Sequence, residues 1–413
     1  MDAAIYAALM VVAIVVVFLR RDRASTLLKA SGPVLIYFLY CMMSTAWSPF
    51  HGPAFKRWTK DVGDLVMVLV IVTDAQPVAA LRRLYSRVGF TLLPLSVVLI
   101  RYTDLGRGYD PGGTPMNTGV TLNKNALGLI VFLVSLGALW HVRALLLDQD
   151  APNRARRLVA QGTLLTFGIL LLQMAHCATA IACFILGGGL MLATGLRAIR
   201  SRPGRVHVLC LGIVLVGGLT LLLGGESMVT SALGRNSDLG RADIWKASIA
   251  TADSPVFGTG FESFWNANAH KVARNPALAG YWDMSNLVSA HNGYIEVYLD
   301  LGWVGVCLIA LIIISGYRRA AKAFKRDPQF GSLILAYIAT STFYSITEVG
   351  FRVLTPSWIF LLLAVVSASG VTAGLFSGEA HRILASRRGA ASGVSARVEL
   401  IPERESAYAA SRF

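Results

Sequence analysis

Charge is what this sequence has least of. Only 15% of its 413 residues are Asp, Glu, Lys or Arg, where a soluble globular domain carries about a quarter. With 55% hydrophobic residues, much of it in long uninterrupted runs, a soluble-domain reading is excluded. Cysteine is scarce as well. The five present have no CxxC spacing and no His cluster beside them, so neither a disulfide framework nor a zinc site is expected. They are expected to behave as small buried hydrophobes. Nor is there an acidic cluster of the kind that cages a divalent metal, or an internal repeat of the transporter type. The first apolar stretch lacks a basic segment ahead of it, so an uncleaved span is expected there rather than a signal peptide.

What the sequence does have is helix-length apolar runs. A helix needs roughly 20 predominantly apolar residues to cross a bilayer, because lipid offers no partner for an open backbone. The runs fall at residues 3–19, 33–47, 62–72, 88–100, 126–140, 158–174, 178–196, 206–224, 293–316, 332–347 and 357–376. The predicted fold class is therefore an all-α integral membrane protein, a bundle of about eleven transmembrane helices. Net charge is +15, which in a soluble chain would point to nucleic acid. Here about 26 of the 38 basic residues fall in alternate connections, and the positive-inside rule sets those in the cytoplasm. The N-terminus is then periplasmic and the C-terminal tail cytoplasmic, the partner is membrane lipid, and no nucleic acid is expected.

Two of the outward-facing connections are long. One covers residues 101–125. The other, a large outer (periplasmic) loop of residues 225–291 expected to contain short helices, is too long for a structureless connector and is a functional candidate. Residues 1–378 read as one polytopic membrane domain that includes this loop. Residues 379–413 read as a polar, loosely ordered cytoplasmic tail.

The large loop carries the most informative residues. Arg241 opens an amphipathic segment that puts Ile244, Trp245 and Ser248 on one helical face. Pro255, Gly258 and Gly260 punctuate a turn. Ala290, His291 and Asn292 close the loop, and Gly302 and Gly305 follow in the next span. The shorter loop ends in Asn123-Lys124-Asn125. In order and spacing these elements resemble the O-antigen ligase and Wzy-type polymerase superfamily of bacterial surface-polysaccharide synthesis, over most of the chain from the fifth span onward. The nearest likeness is to exopolysaccharide polymerases of the succinoglycan type.

That resemblance implies a metal-independent, cofactor-free glycosyltransferase of the bacterial inner membrane. Its donor would be an undecaprenyl-diphosphate-linked glycan and its acceptor a hydroxyl on a glycan or lipid core. The residue chemistry agrees. A sugar hydroxyl is a poor nucleophile and needs a base, and imidazole titrates in the useful range. His291 stands where the loop enters a helix, a position that disfavours an imidazolium. The leaving diphosphate calls for cations, and the Arg fork matches phosphate oxygens. Arg241 is the first candidate, then Lys124, then Arg235. One departure stands out. Members of the family it resembles often carry a basic residue in the turn where this chain reads Ala175-His176-Cys177-Ala178-Thr179, so either His176 or Arg101 substitutes in one phosphate contact or the match at this turn is accidental.

The blander readings remain open at this stage. Arg241 can snorkel to headgroups, Asn123 and Asn125 can be helix caps, and Trp245, Trp265 and Trp282 are expected to be interface anchors rather than sugar platforms. Asp61, Asp64, Glu348 and Arg352 are charges near span ends, which lipid tolerates only when they face a cavity or a partner. The alternative function is a polytopic transporter or flippase of a lipid-linked or small solute. Such a protein would gather its polar residues at the bilayer midplane, whereas this chain gathers them at one boundary.

Overall fold

The computed structural model describes residues 3–109, 113–196, 199, 204–222, 241–278 and 287–376. Met1–Ala373 forms one compact unit, and only residues 374–376 of the second, Gly374–Phe413, are described. Each segment read as a span is a helix: α1 (Ala3–Leu19), α3 (Gly32–Ser44), α4 (His51–Val72), α5 (Pro77–Tyr102), α6 (Lys124–Leu147), α7 (Arg154–Ala175), α8 (Ala178–Ala193), α9 (Gly204–Leu222), α12 (Gly293–Arg326), α13 (Pro328–Thr347) and α14 (Pro356–Thr372). Among the described residues, α5, α6, α7, α12 and α13 are long and apolar enough to cross a membrane, with a sixth if α1 and α2 (Arg21–Ala30), bent by 93°, form one broken span. The chain is thus a multi-pass helical membrane protein. Hydropathy alone undercounts its helix: α2 and the first half of α4 are helical but polar, and an apolar-run rule passes over them. The shorter loop adds a small antiparallel ribbon, β1 (Arg107–Tyr109) against β2 (Pro115–Asn117).

The middle of the bundle is α6 and α13. Their most apolar stretches are 72% and 78% buried, against 28% for α5 and 33% for α7, so the latter two leave wide apolar faces for lipid. α13 packs on α8, α9, α12 and α14, and α6 packs on α5, α7 and α8. At the loop end, α6 and α8 approach closely because Gly128 has no side chain: a Cβ there would lie 2.8 Å from that of Ala180 and 3.0 Å from that of Cys177. Small residues at such crossings are how apolar helices gain contact where lipid supplies no hydrophobic drive.

The described part of the large loop, residues 241–278 and 287–291, is folded and tied to the bundle. Among the described residues it contains α10 (Arg241–Ala250), α11 (Phe264–Ala273) and a 3-10 turn, Pro276–Leu278. Ile244, Ala247, Phe264, Trp265, Val272, Leu278, Ala290 and Leu299 form its own small core. Asp300 Oδ1 caps α11, accepting from the amides of Ser263 at 2.8 Å and Phe264 at 2.9 Å. Trp265 therefore belongs to this core rather than to a lipid interface, and Trp282 lies outside the described residues.

The Pro255–Gly260 turn locks into a break in α12. Gly302 leaves helical geometry, with φ 64° and ψ −165°. The freed backbone groups pair with the turn: Trp303 N donates to Pro255 O, Gly260 N to Asp300 O and Thr259 N to Leu299 O, at 2.8 to 3.1 Å. A Cβ on Gly302 would sit 2.1 Å from the Val256 carbonyl oxygen, and one on Gly258 would sit 2.3 Å from the Asp300 carbonyl carbon. The two glycine motifs of the sequence thus serve one interlock. Gly302→Ala should destabilise the protein by more than the ~1 kcal/mol that such an exchange changes at a compatible site. Gly162→Ala, in open space on α7, should be tolerated. Thermal melting in detergent checks this, and equal melting of Gly302→Ala and wild type would refute the interlock.

Candidate active site

Asn292 starts α12 with its side chain, accepting from the amides of Tyr294 at 3.0 Å and Ile295 at 3.1 Å. This places His291 one residue outside the helix, with a left-handed φ of 49°. A non-glycine residue pays for that conformation with about 1–3 kcal/mol of strain and keeps it only when its surroundings hold it. They do. Ala290 N donates to Glu296 Oε1, Trp245 Nε1 donates to Ala290 O at 2.8 Å, and Gly293 N donates to Glu348 O at 3.0 Å. Trp245 is thus a strut for the His291 backbone, not an interface anchor.

Glu348 gathers the site. It ends α13 and is 6% exposed. Oε1 accepts from Asn125 Nδ2 at 3.0 Å and lies 3.5 Å from Arg241 Nη2. Oε2 lies 3.5 Å from His291 Nδ1, a charge-pair distance outside hydrogen-bond geometry. Arg241, the first residue of α10, also donates from Nη1 to Thr347 O at 2.8 Å. A buried carboxylate is expensive unless charged or polar donors surround it, and here donors from α6, α10 and the α12 junction converge on one. The His291 side chain is 43% exposed although its Nδ1 is enclosed. Its open edge is therefore the one bearing Nε2.

Of the residues singled out by sequence, the structure brings His291 and Arg241 together on Glu348. Lys124 opens α6 next to Asn125. Arg235 lies outside the described residues. Asn123 is a helix cap, accepting from Ala126 N at 2.8 Å, but Asn125 is not, since its amide serves Glu348. His176, exposed and with φ 48°, ends α7 beside Cys177. Arg101 is exposed in the last turn of α5.

The other span-end acids are structural. Asp61 accepts from Trp358 Nε1 at 2.7 Å and Asp64 from Leu354 N at 2.8 Å. Among the described residues no group of three or more His, Cys, Asp or Glu is placed to hold a metal ion. Sequence reasoning marks Glu348 only as a charge at a span end. The signal that could have promoted it is its depth beside an otherwise apolar helix.

Comparison with known proteins agrees with the resemblance read from the motifs. Residues 161–310, which include Arg241, the glycine turn and His291, match the family model described as O-antigen ligase. Over 280 residues the chain is 26% identical to the exopolysaccharide production protein ExoQ of Rhizobium meliloti (strain 1021), a match covering 64% of this chain and 60% of that protein. The chain therefore aligns with less than two thirds of this relative's length. Lys124, Asn125 and Glu348 fall outside the family-model match, so their part in the site rests on the geometry.

If Glu348 is the hub, Glu348→Ala should lower stability by roughly 1–3 kcal/mol, the usual loss when buried donors are orphaned. Glu348→Gln, which keeps an oxygen for Asn125, should lose less. Melting curves of the two variants that coincide with wild type would show that the convergence on Glu348 contributes nothing.

Proposed function

We propose that the chain is a membrane glycosyltransferase that moves an undecaprenyl-diphosphate-linked glycan onto an acceptor hydroxyl, as a surface-polysaccharide polymerase or ligase. The observation that carries this reading is the convergence of His291 and Arg241 on the buried Glu348, with the Nε2 edge of His291 left open. The family-model match and the exopolysaccharide production protein of Rhizobium meliloti support the reaction class.

In this mechanism His291 Nε2 takes the proton of the acceptor hydroxyl as its oxygen bonds to the anomeric carbon of the donor. The bond from that carbon to the phosphate oxygen breaks, and the diphosphate leaves on its lipid with the electron pair. Attack opposite the leaving group inverts the anomeric centre. Glu348 faces Nδ1, where it orients the ring and stabilises the imidazolium that forms, the part an acidic partner plays beside any general-base histidine. Arg241 faces the developing charge. Lys124 is the second cation and Arg235 the third. With cationic side chains serving the diphosphate, the chemistry needs no metal.

His291→Ala is expected to abolish product in proteoliposomes supplied with lipid-diphosphate-linked glycan, with membrane expression unchanged, and product size in the wild type then separates polymerase from ligase. Product at the wild-type level would remove His291 as the base and bring the transporter reading forward. Arg241→Ala should lower turnover about 10²-fold or more, the usual effect of removing one transition-state donor. Activity is expected to survive EDTA. Activity that disappears with the chelator and returns with a divalent cation would overturn the metal-free account.

A further inference from the structure

α12 runs from the His291 junction to the opposite end of the bundle, and one side of it is left over once its packing is complete. Beyond the break at Gly302, Trp303, Cys307, Leu311 and Ile314 are exposed. Arg318, Lys322 and Lys325, also exposed, continue the same series toward the end of the helix. The spacing is always three or four residues, so at about 100° per residue all seven share a sector about 100° wide. The buried side carries Ile309, Gly316, Ala320 and Phe324 and packs on α3, α13 and α14. One continuous outer stripe thus changes from apolar to cationic at Arg318.

No acid balances that change. Between Asp300 and Asp327 the sequence has none, and Asp327 caps α13, accepting from Gln329 N and Phe330 N at 3.0 Å. Of the five cations in this stretch, two serve the protein itself. Arg319 Nη1 donates to Ser369 Oγ at 3.0 Å, and Arg326 Nη1 to Val371 O at 2.7 Å and Thr372 O at 3.2 Å. The second of these sets a cation against the carbonyl end of α14, where it is favourable. Arg318, Lys322 and Lys325 have neither a hydrogen bond nor an ion pair with any described residue.

Length says what those three meet. At about 1.5 Å of rise per residue, Lys322 lies about 28 Å and Lys325 about 33 Å along the axis from Trp303. Those distances bracket the roughly 30 Å of a bilayer's hydrocarbon core. Trp303 then stands at one boundary, as indole rings do, and Arg318 reaches the other by extending its stem along the apolar stripe. A side that faces acyl chains along its apolar length faces the phosphates of the same lipids where those chains end.

We propose that Arg318, Lys322 and Lys325 form a binding stripe for anionic phospholipid headgroups, in the leaflet opposite the His291 site. It does not depend on the transfer chemistry. Each cation at such a surface contributes about fivefold to the enrichment of anionic lipid, and salt screens the effect. The test melts the full chain in nanodiscs of phosphatidylcholine with and without phosphatidylglycerol. Wild type should melt higher with phosphatidylglycerol, and less so at high salt. The Lys322→Gln, Lys325→Gln double variant should lose most of that rise while melting like wild type in phosphatidylcholine alone, and Lys322→Arg with Lys325→Arg should keep it. Arg87→Gln with Arg156→Gln, exposed cations on α5 and α7, should also keep it. The proposal is overturned by no rise in wild type, by a rise that persists in the folded double glutamine variant, or by an equal loss in the α5 and α7 control. It is overturned as well if inorganic phosphate in phosphatidylcholine nanodiscs raises the melting temperature as far, since the ligand is then a soluble anion.

Discussion

A carboxylate buried beside lipid has to be matched, and the way Glu348 is matched organises the loop end of this protein. Asn125 comes from α6, Arg241 from α10, His291 from the turn into α12, and the Glu348 carbonyl takes the first amide of α12. None of these contacts is strong alone. Together they fix four elements against one another, because withdrawing any donor leaves charge in a poorly solvated place. His291 and Arg241 thus share one counter-charge, which helps to set their separation.

The interlock at Gly302 does the complementary work on the backbone. A broken helix at membrane depth survives only if its open amides and carbonyls find partners within the protein. The Pro255–Gly260 turn supplies them. The described part of the large loop is therefore an extension of the bundle with its own small core, and the site is built on helix ends and capped turns. That is the kind of support a preorganised site requires.

Much of this was legible in the sequence, for identifiable reasons. Apolar runs locate the helices because lipid enforces length, and His291, Arg241 and the glycine turn stand out because their side-chain chemistry and spacing are unusual in a loop. What escaped detection is what depends on partners distant in sequence. α2 and the first half of α4 are polar helices that tertiary packing stabilises, so hydropathy does not report them. Trp245 and Trp265 read as interface anchors by residue type, yet Trp245 donates its indole N–H to Ala290 O and Trp265 donates its own to Glu296 of α12. Glu348 is one more charge at a span end until the contacts across 223 residues to Asn125 and across the loop are known. Gly302 shows the same limit, since its role exists only where Val256 meets it.

The chain order of the Glu348 network has a consequence for how the protein is made. Synthesis runs from the N-terminus, so α6, the loop and the start of α12 emerge before α13. Until the end of α13 is in place, Arg241, Asn125 and the His291 turn have their loop core and their interlock but lack the carboxylate that draws them together. Completion of the Glu348 network is therefore a late event in biogenesis, coupled to insertion of α13, and a nascent chain that has not yet placed that helix holds Arg241, Asn125 and His291 in an unassembled arrangement.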